Sequence, residues 1–210
     1  GTRIDEVHNG SSLFTGDAGG GESNLRRFII ENDMLEAIIA MPEKDFYNTG
    51  IGTYIWIVTN RKEARRKGKV QLIDATAIKT PLRKNLGEKN CETNDDDRKK
   101  ILDLLMAFEE NEYSKIFPNE EFGYWEVELF KPAKDESGNV IKDKKGKAKM
   151  AKVKGEVEQI PFTYPGGIEA FHKNEVLPYE PEEVFGEPTI GYELSITKYF
   201  YKPVQLRSIA

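Results

Sequence analysis

Cysteine and histidine are nearly missing: the 210 residues hold one cysteine, Cys91, and two histidines, His8 and His172. A lone thiol excludes an internal disulfide, and with both histidines far from it no metal-ligand spacing exists, so metal chemistry is not expected. Long hydrophobic runs are also missing. No apolar stretch approaches the ~20 residues of a membrane span, and no charged-then-apolar leader precedes a small-residue cleavage site, which points to a cytoplasmic chain. A positive excess is lacking too. The formal charge is -5, from 31 basic and 36 acidic side chains, whereas nucleic-acid-binding domains often carry a surplus that displaces counterions from phosphates. What is present is ordinary for a globular protein: 38% hydrophobic and 32% charged residues, enough to bury a core in one large domain or two modest ones.

The basic charge is concentrated in two places. Residues 61–69 (RKEARRKGK) hold six basic side chains against one glutamate, and residues 131–154 hold nine lysines against three acids. Such runs are commonly solvated loops. The most apolar segment is Thr53 to Val58, whose β-branched and aromatic side chains suit a buried strand. Phe46-Tyr47-Asn48-Thr49-Gly50-Ile51-Gly52 feeds it as a turn. Loops at strand ends often carry binding groups, so Phe46 and Tyr47 either plug the core beneath the turn or face a ligand.

In chain order, Ile4 to Val7 alternates like a short strand, and its position so close to the first residue suggests a fragment of something longer. The glycine-rich residues 15–21 (TGDAGGG) lead into a helix over about 22–32, with Leu25, Phe28, Ile29 and Leu35 as its expected buried stripe. That loop fits the loose D-x-G-x-G pattern of nucleotide loops. However, no hydrophobic strand directly precedes it, and the next strand, residues 37–41, ends in Pro42 where a ribose-binding acid should stand. A flexible connection and a cofactor loop both stay open.

Residues 69–74 read as another strand, 75–97 as polar and irregular, and Thr93 to Asp97 as an N-capping run for a helix over 95–111. Tyr124 to Phe130 alternates as a half-exposed strand, with Trp125, Val127 and Leu129 on one side. The Lys-rich stretch has the turn residues of a surface hairpin or a partly mobile insertion. A short helix is expected over 168–177, stopping at Pro178, and the aromatic tail 190–202 suits a core, a subunit contact or a base-stacking surface. The alternation of strands and helix makes this an α/β chain holding half of a usual sheet.

Several uninterrupted strings, HNGSSLFTGDAGGGESNLRRFIIENDMLEAIIAMPEKDFYNTGIGTYIWIVTN, KVQLIDAT, SKIFPNEEFGYWEVEL, EVLPYEP and IGYELSITKYFY, carry a specific likeness spanning residues 3–201. On these the chain resembles the C-terminal part of the modification subunit of type I restriction-modification systems, which are adenine-specific DNA methyltransferases. The resemblance implies the C-terminal part of a Rossmann-like S-adenosylmethionine-dependent methyltransferase sheet, parallel strands ending in an antiparallel hairpin, over residues 1–80. A mixed α+β extension over 81–210 would follow, with the Lys-rich insertion at 131–158.

The resemblance also implies roles. The hairpin strands map to 37–41 and 53–60, and the loop 42–52 between them approaches the flipped adenine. The base-stacking aromatic maps to Phe46 or Tyr47, with Asn48, Thr49 and Gly50 completing the site loop. Arg61, Lys62, Arg65 and Arg66 are candidates for DNA phosphate contacts. Implied partners are DNA, a specificity subunit, a restriction subunit and a second modification subunit. S-adenosylmethionine is the implied cofactor of the parent enzyme. The family's Asn-Pro-Pro-aromatic motif is absent from this sequence, so no catalytic residue and no cofactor-binding residue is assigned, and the chain alone is expected to be inactive. Two other readings remain: a non-catalytic module docking the specificity subunit, and a nucleotide-binding domain using residues 15–21.

Overall fold

The computed structural model describes residues 1–47 and 49–201. These form two compact units, one of Gly1–Thr15, Phe28–Asn119 and the chain from Leu194, the other of Gly16–Arg27 and Glu120–Glu193. The expected boundary near residue 80 falls inside the first unit. Among the described residues, no helix is long and apolar enough to cross a membrane.

The first unit is built on a five-stranded mixed sheet. Its strands are β1 (Arg3–Asn9), β2 (Leu35–Ala40), β3 (Thr53–Thr59), β4 (Lys69–Asp74) and β7 (Ser114–Pro118), in the spatial order β1-β3-β2-β4-β7. β2 and β4 are parallel, whereas β3 is antiparallel to both of its neighbours and β7 to β4. The expected antiparallel hairpin is thus β2–β3. All six residues of β2 are buried, as a run of Leu, Ile and Ala in a covered strand requires. Glu36 is the exception in chemistry, and the β2–β3 register shifts across it, between Leu35 and Ala37.

Residues 75–97, expected to be irregular, instead fold as a two-stranded hairpin, β5 (Thr80–Leu86) with β6 (Lys89–Glu92). Alternation is weak there because few of its side chains are buried. Helix α3 (Asp95–Ala107) follows, α1 (Ser11–Phe14) and α2 (Gly21–Glu31) being the earlier two. Asn94 caps α3 by accepting from the Asp97 backbone N–H at 2.9 Å, and Asp97 reciprocates. Such a box satisfies two otherwise orphaned donors. At the other end the Gln71 amide donates to Leu104 O at 2.9 Å, Arg66 to Leu105 O, and Arg65 to Met106 O and Ala107 O at 2.7 and 3.0 Å. The carbonyls that a helix terminus leaves unpaired are therefore all met by side chains.

Arg66 is fully buried, and so is Glu36. Their ion pair closes at 3.3 Å, and Arg3 reaches the same carboxylate at 2.8 Å. Burial lowers the Arg66 pKa, with the Glu36 charge opposing that shift. Lys62 is likewise internal, donating to Asp33 at 2.6 Å and to Lys69 O at 2.7 Å. Burial pulls its ammonium below the usual value. At Asp33 burial pushes the carboxyl up, but hydrogen bonds from Lys62, Asn119 and the Gly68 N–H outweigh it and hold the group below the ordinary carboxylate range.

The second unit centres on β8 (Gly123–Pro132). β9 (Met150–Pro161) lies along one side of it, and β10 (Val184–Phe185) and β11 (Thr189–Tyr192) follow one another along the other. Val127 and Leu129 are buried as the alternation predicts. α4 (Gly167–Phe171) continues through a wide turn at His172–Val176. The closing helix, α5 (Ile196–Phe200), belongs to the first unit. The aromatic tail is divided in character: Tyr192, Leu194 and Ile196 are buried and Tyr201 is exposed.

The buried stripe expected for α2 is not the one observed. Leu25 and Phe28 are about three-fifths exposed, at 60% and 58%, while Ser23, Arg26 and Ile30 are buried. Polar groups won that face because they satisfy backbone: Arg26 Nε donates to Tyr192 O at 2.6 Å, and the Tyr192 N–H donates to Ser23 Oγ at 3.0 Å.

Arg66→Ala leaves the buried Glu36 carboxylate with Arg3 alone and frees the Leu105 carbonyl of α3, and should cost about 3 kcal/mol in urea unfolding, the lower end for a broken buried pair. The depressed Asp33 pKa contributes stability that is complete above the unfolded value near ~3.9 and lost as pH falls through the folded one. Asp33→Asn should therefore lose less stability than the native chain between about pH 4 and 2, as read by thermal melts.

Candidate functional site

Strand directions place the aromatic loop. β1, β2 and β4 run the same way, so their carboxyl ends, Asn9, Ala40 and Asp74, lie along one edge of the sheet. In open α/β sheets ligands bind beyond that edge. The segment 41–52 leaves β2 there and returns as β3, closed at its base by Met41 N–H donating to Thr53 O at 2.9 Å. Within it Phe46 pairs with Thr49 across a tight turn, and Thr49 Oγ1 accepts from the Ile51 N–H at 3.1 Å. The expected loop residue Asn48 lies outside the described residues.

Phe46 and Tyr47 are 44% and 61% exposed, so neither ring plugs the core. Their backbone is held from one side by the β5–β6 hairpin. Glu88 N–H donates to Tyr47 O at 3.1 Å and Asn90 N–H to Lys44 O at 3.1 Å. Lys89 donates to Asp45 O and Oδ1 at 2.6 and 3.0 Å, and the Thr93 hydroxyl to Asp45 Oδ2 at 2.7 Å. The Lys89 ammonium also stands 5.5 Å from the Tyr47 ring centroid, within cation–π range. Gly87 makes the clip possible: its φ is +65°, and a Cβ there would stand 2.8 Å from Tyr47 O.

Two depressions border these rings. One, of about 590 Å³, has an apolar lining of Ile39, Met41, Ile55, Ile101, Leu102 and Leu105, rimmed by Asp45, Lys89, Glu92, Thr93 and Arg98. The other, of about 390 Å³, lies at the carboxyl end of β1 between Val7, His8, Asn9, Thr49 and Thr53. Thr53 Oγ1 is buried with no hydrogen-bond partner among the described residues. A buried hydroxyl in that state costs free energy until something bonds to it. His8 packs edge-on to Trp56 at 6.1 Å, and burial raises the pKa of the Tyr54 phenol.

The four basic residues expected at phosphates do not gather here. They follow the far end of β3, and seven residues of strand separate them from the loop by roughly 20 Å. Lys62 and Arg66 are buried in ion pairs, and Arg65 is engaged by Glu63 and the α3 terminus. Arg61 alone of the four has no side-chain bond among the described residues. The glycine loop 15–21 is likewise occupied. Gly19 N–H donates to Ile190 O at 3.1 Å, and a Cβ on Gly19 would stand 2.9 Å from Thr189. Gly19 thus serves close packing on β11, and its N–H is already bonded there. Sequence reasoning missed Asp45, Lys89, Thr93 and Thr53; only the adjacency of Asp45 to Phe46 hinted at them.

A profile of the N-6 DNA methylase family matches residues 3–129, more than half of the chain. The chain belongs to the N-6 DNA methylase family. Among curated proteins it is similar to the type I restriction enzyme MjaVII methylase subunit of Methanocaldococcus jannaschii, 37% identical over 109 residues, which is 49% of this chain and 18% of that protein. The MjaIX methylase subunit of the same organism is 35% identical over 95 residues, 45% of this chain and 16% of that protein. This N-6 DNA methylase chain thus spans less than a fifth of those relatives. Among solved structures, the type I restriction-modification system methyltransferase subunit from Streptococcus thermophilus superposes with a TM-score of 0.49 at 22% identity, over 57% of this chain and 23% of that one.

Asp45→Ala removes the carboxylate that accepts from Lys89 and Thr93 and leaves Lys89 only the Asp45 carbonyl. Amide hydrogen exchange at residues 44–47 and 88–90 should quicken about tenfold or more, as expected for the loss of ~1–3 kcal/mol of local stability, with exchange in β2 unchanged.

Proposed function

We propose that this chain is part of an adenine N6-methyltransferase, the modification subunit of a type I restriction-modification complex, and forms the target-base side of its site. The observation that carries the reading is the pair of exposed, backbone-clipped rings, Phe46 and Tyr47, beside a groove with an unpartnered buried hydroxyl, Thr53 Oγ1. On this reading the five-stranded sheet is the C-terminal end of a Rossmann-like methyltransferase sheet.

The chemistry suits those groups. The exocyclic amine of adenine is a weak nucleophile and cannot be reached inside a duplex, so the base must be turned out and held. Stacking on one aromatic ring is worth roughly 1–3 kcal/mol, similar in size to the cost of unstacking a base. Phe46 or Tyr47 supplies that face, Thr49 and Gly50 shape the turn beneath it, and Thr53 bonds the edge of the base. The clip through Asp45 and Lys89 keeps the rings in place before the base arrives, so less ordering remains to be done on binding.

S-adenosylmethionine supplies the methyl group in the parent protein. No residue of 15–21 is assigned to it, since the Gly19 N–H is already given to Ile190 O, and this sequence contains no Asn-Pro-Pro motif to accept the amine hydrogens. We infer that residues 1–210 alone do not transfer methyl groups, and that DNA, the specificity and restriction subunits and a second modification subunit complete the working assembly. Of Arg61, Lys62, Arg65 and Arg66, Arg61 is the one left for phosphate among the described residues.

In the full-length subunit complex, Phe46→Ala or Tyr47→Ala should lower 2-aminopurine fluorescence at the target position and reduce kcat/KM for methylation about tenfold, the size of one lost stacking contact. Unchanged values for both would remove the rings from the site. Purified residues 1–210 should leave adenine in duplex DNA unmethylated in a tritiated methyl-transfer assay.

A further inference from the structure

The Lys-rich stretch in the second unit is an ordered arm with an internal repeat. Lys134-Asp135-Glu136-Ser137-Gly138-Asn139-Val140-Ile141 is followed by Lys142-Asp143-Lys144-Lys145-Gly146-Lys147-Ala148-Lys149, with Lys, Asp and Gly in register at eight residues. Each Asp organises a turn in the same way. Asp135 Oδ1 accepts from the N–H groups of Ser137 and Asn139, and Asp143 Oδ1 from those of Lys145 and Lys147, all at 2.8–2.9 Å. The glycines, at φ +83° and +79°, complete the turns.

The repeat closes on itself. Ala133 N–H donates to Lys149 O, Ile141 N–H to Ala133 O and Lys149 N–H to Ile141 O, each at 2.8 Å. Three chain segments eight residues apart are thereby joined in a ring at the end of the β8–β9 ribbon. The charges are sorted along it. At its base Lys131 pairs with Glu180 and Glu183, Lys134 with Glu182, and Lys152 with Glu128. Beyond them Lys142, Lys144, Lys145, Lys147 and Lys149 are exposed and have no ion pair among the described residues. One acid, Asp143, lies among them, its carboxylate already used by the turn.

We propose that this arm grips the phosphate backbone of duplex DNA. A chain of net charge -5 gains no affinity for a polyanion from its overall field, so contact has to come from a local cluster, and this one presents five ammonium groups on a backbone fixed by hydrogen bonds. Ammonium groups on flexible stems bind phosphate as point charges and read no base sequence. The arm thus adds sequence-independent affinity to a subunit whose base contact is made elsewhere, which rests on the reading that the parent protein acts on DNA.

Fluorescence anisotropy of residues 1–210 with a labelled 30-base-pair duplex at several salt concentrations tests this. Replacing the five lysines together (Lys142→Gln, Lys144→Gln, Lys145→Gln, Lys147→Gln and Lys149→Gln) should flatten the dependence of log affinity on log salt by roughly one unit per lost contact, about three or more in all. The same five changed to arginine should restore the slope, and circular dichroism should be unaltered in both. Phe46→Ala should leave the slope in place, so a failure of the stacking assay does not count against the arm. No salt-dependent binding by the native chain, or an unaltered slope in the glutamine variant, overturns the proposal. Loss of polyglutamate binding with duplex binding retained also overturns it, in favour of an acidic protein surface as the occupant.

Discussion

The end of helix α3 is where this sheet is fastened. Arg66 stands at the meeting point, because its guanidinium neutralises the Glu36 carboxylate inside the sheet while closing a carbonyl of the helix. Gln71 and Arg65 complete the closure from β4 and the segment before it. A carboxylate taken out of water in the middle of a covered strand is tolerable only when its partners are fixed and its lone pairs used. Arg3, Arg66 and the register shift around Glu36 meet that condition together. The consequence reaches the site through the helix, since Ile101, Leu102 and Leu105 of α3 line the depression beneath Phe46 and Tyr47.

Apolar period reveals where a segment packs only when apolar groups decide the packing. For β2, β3, β4 and β8 they do, and those strands are legible from their residues within a position or two. The capping of α3 is legible as well, because Asn94 and Asp97 act locally. Helix α2 shows the opposite case. Leu25 and Phe28 form the better apolar stripe, yet the helix buries Ser23 and Arg26, since the open peptide groups of Tyr192 need partners and a residue 166 positions away leaves no mark on the local pattern. The same reason hides Lys62 and Arg66. A run of basic side chains reads as a solvated or phosphate-facing loop until Asp33, Glu36 and the α3 carbonyls are known to surround it.

At the candidate site the aromatic pair was visible in sequence but its support was not. The β5–β6 hairpin is short of buried residues and looks irregular, and its work is done by backbone groups of Glu88 and Asn90 and by one lysine. Backbone donors carry no residue signature, and Gly87, whose positive φ admits the close approach to Tyr47 O, is a trace of the clip that a local pattern does not single out. The vacant bonding capacity of Thr53 is equally silent in a sequence, because Thr is an ordinary strand residue. Its isolation is a property of the neighbours that leave it without a partner.

The ring formed by Ala133, Ile141 and Lys149 has a consequence for solubility. A hairpin extended from a sheet normally offers two unpaired borders of peptide groups, each a template on which another chain can add a strand. Joined in a circle, each of these three segments gives its bonds to the next, so the arm can reach into solvent without presenting a border to be extended. Hydrophobic residues at its surface, Val140, Ile141 and Met150, are then tolerated where an open hairpin bearing them would recruit copies of itself.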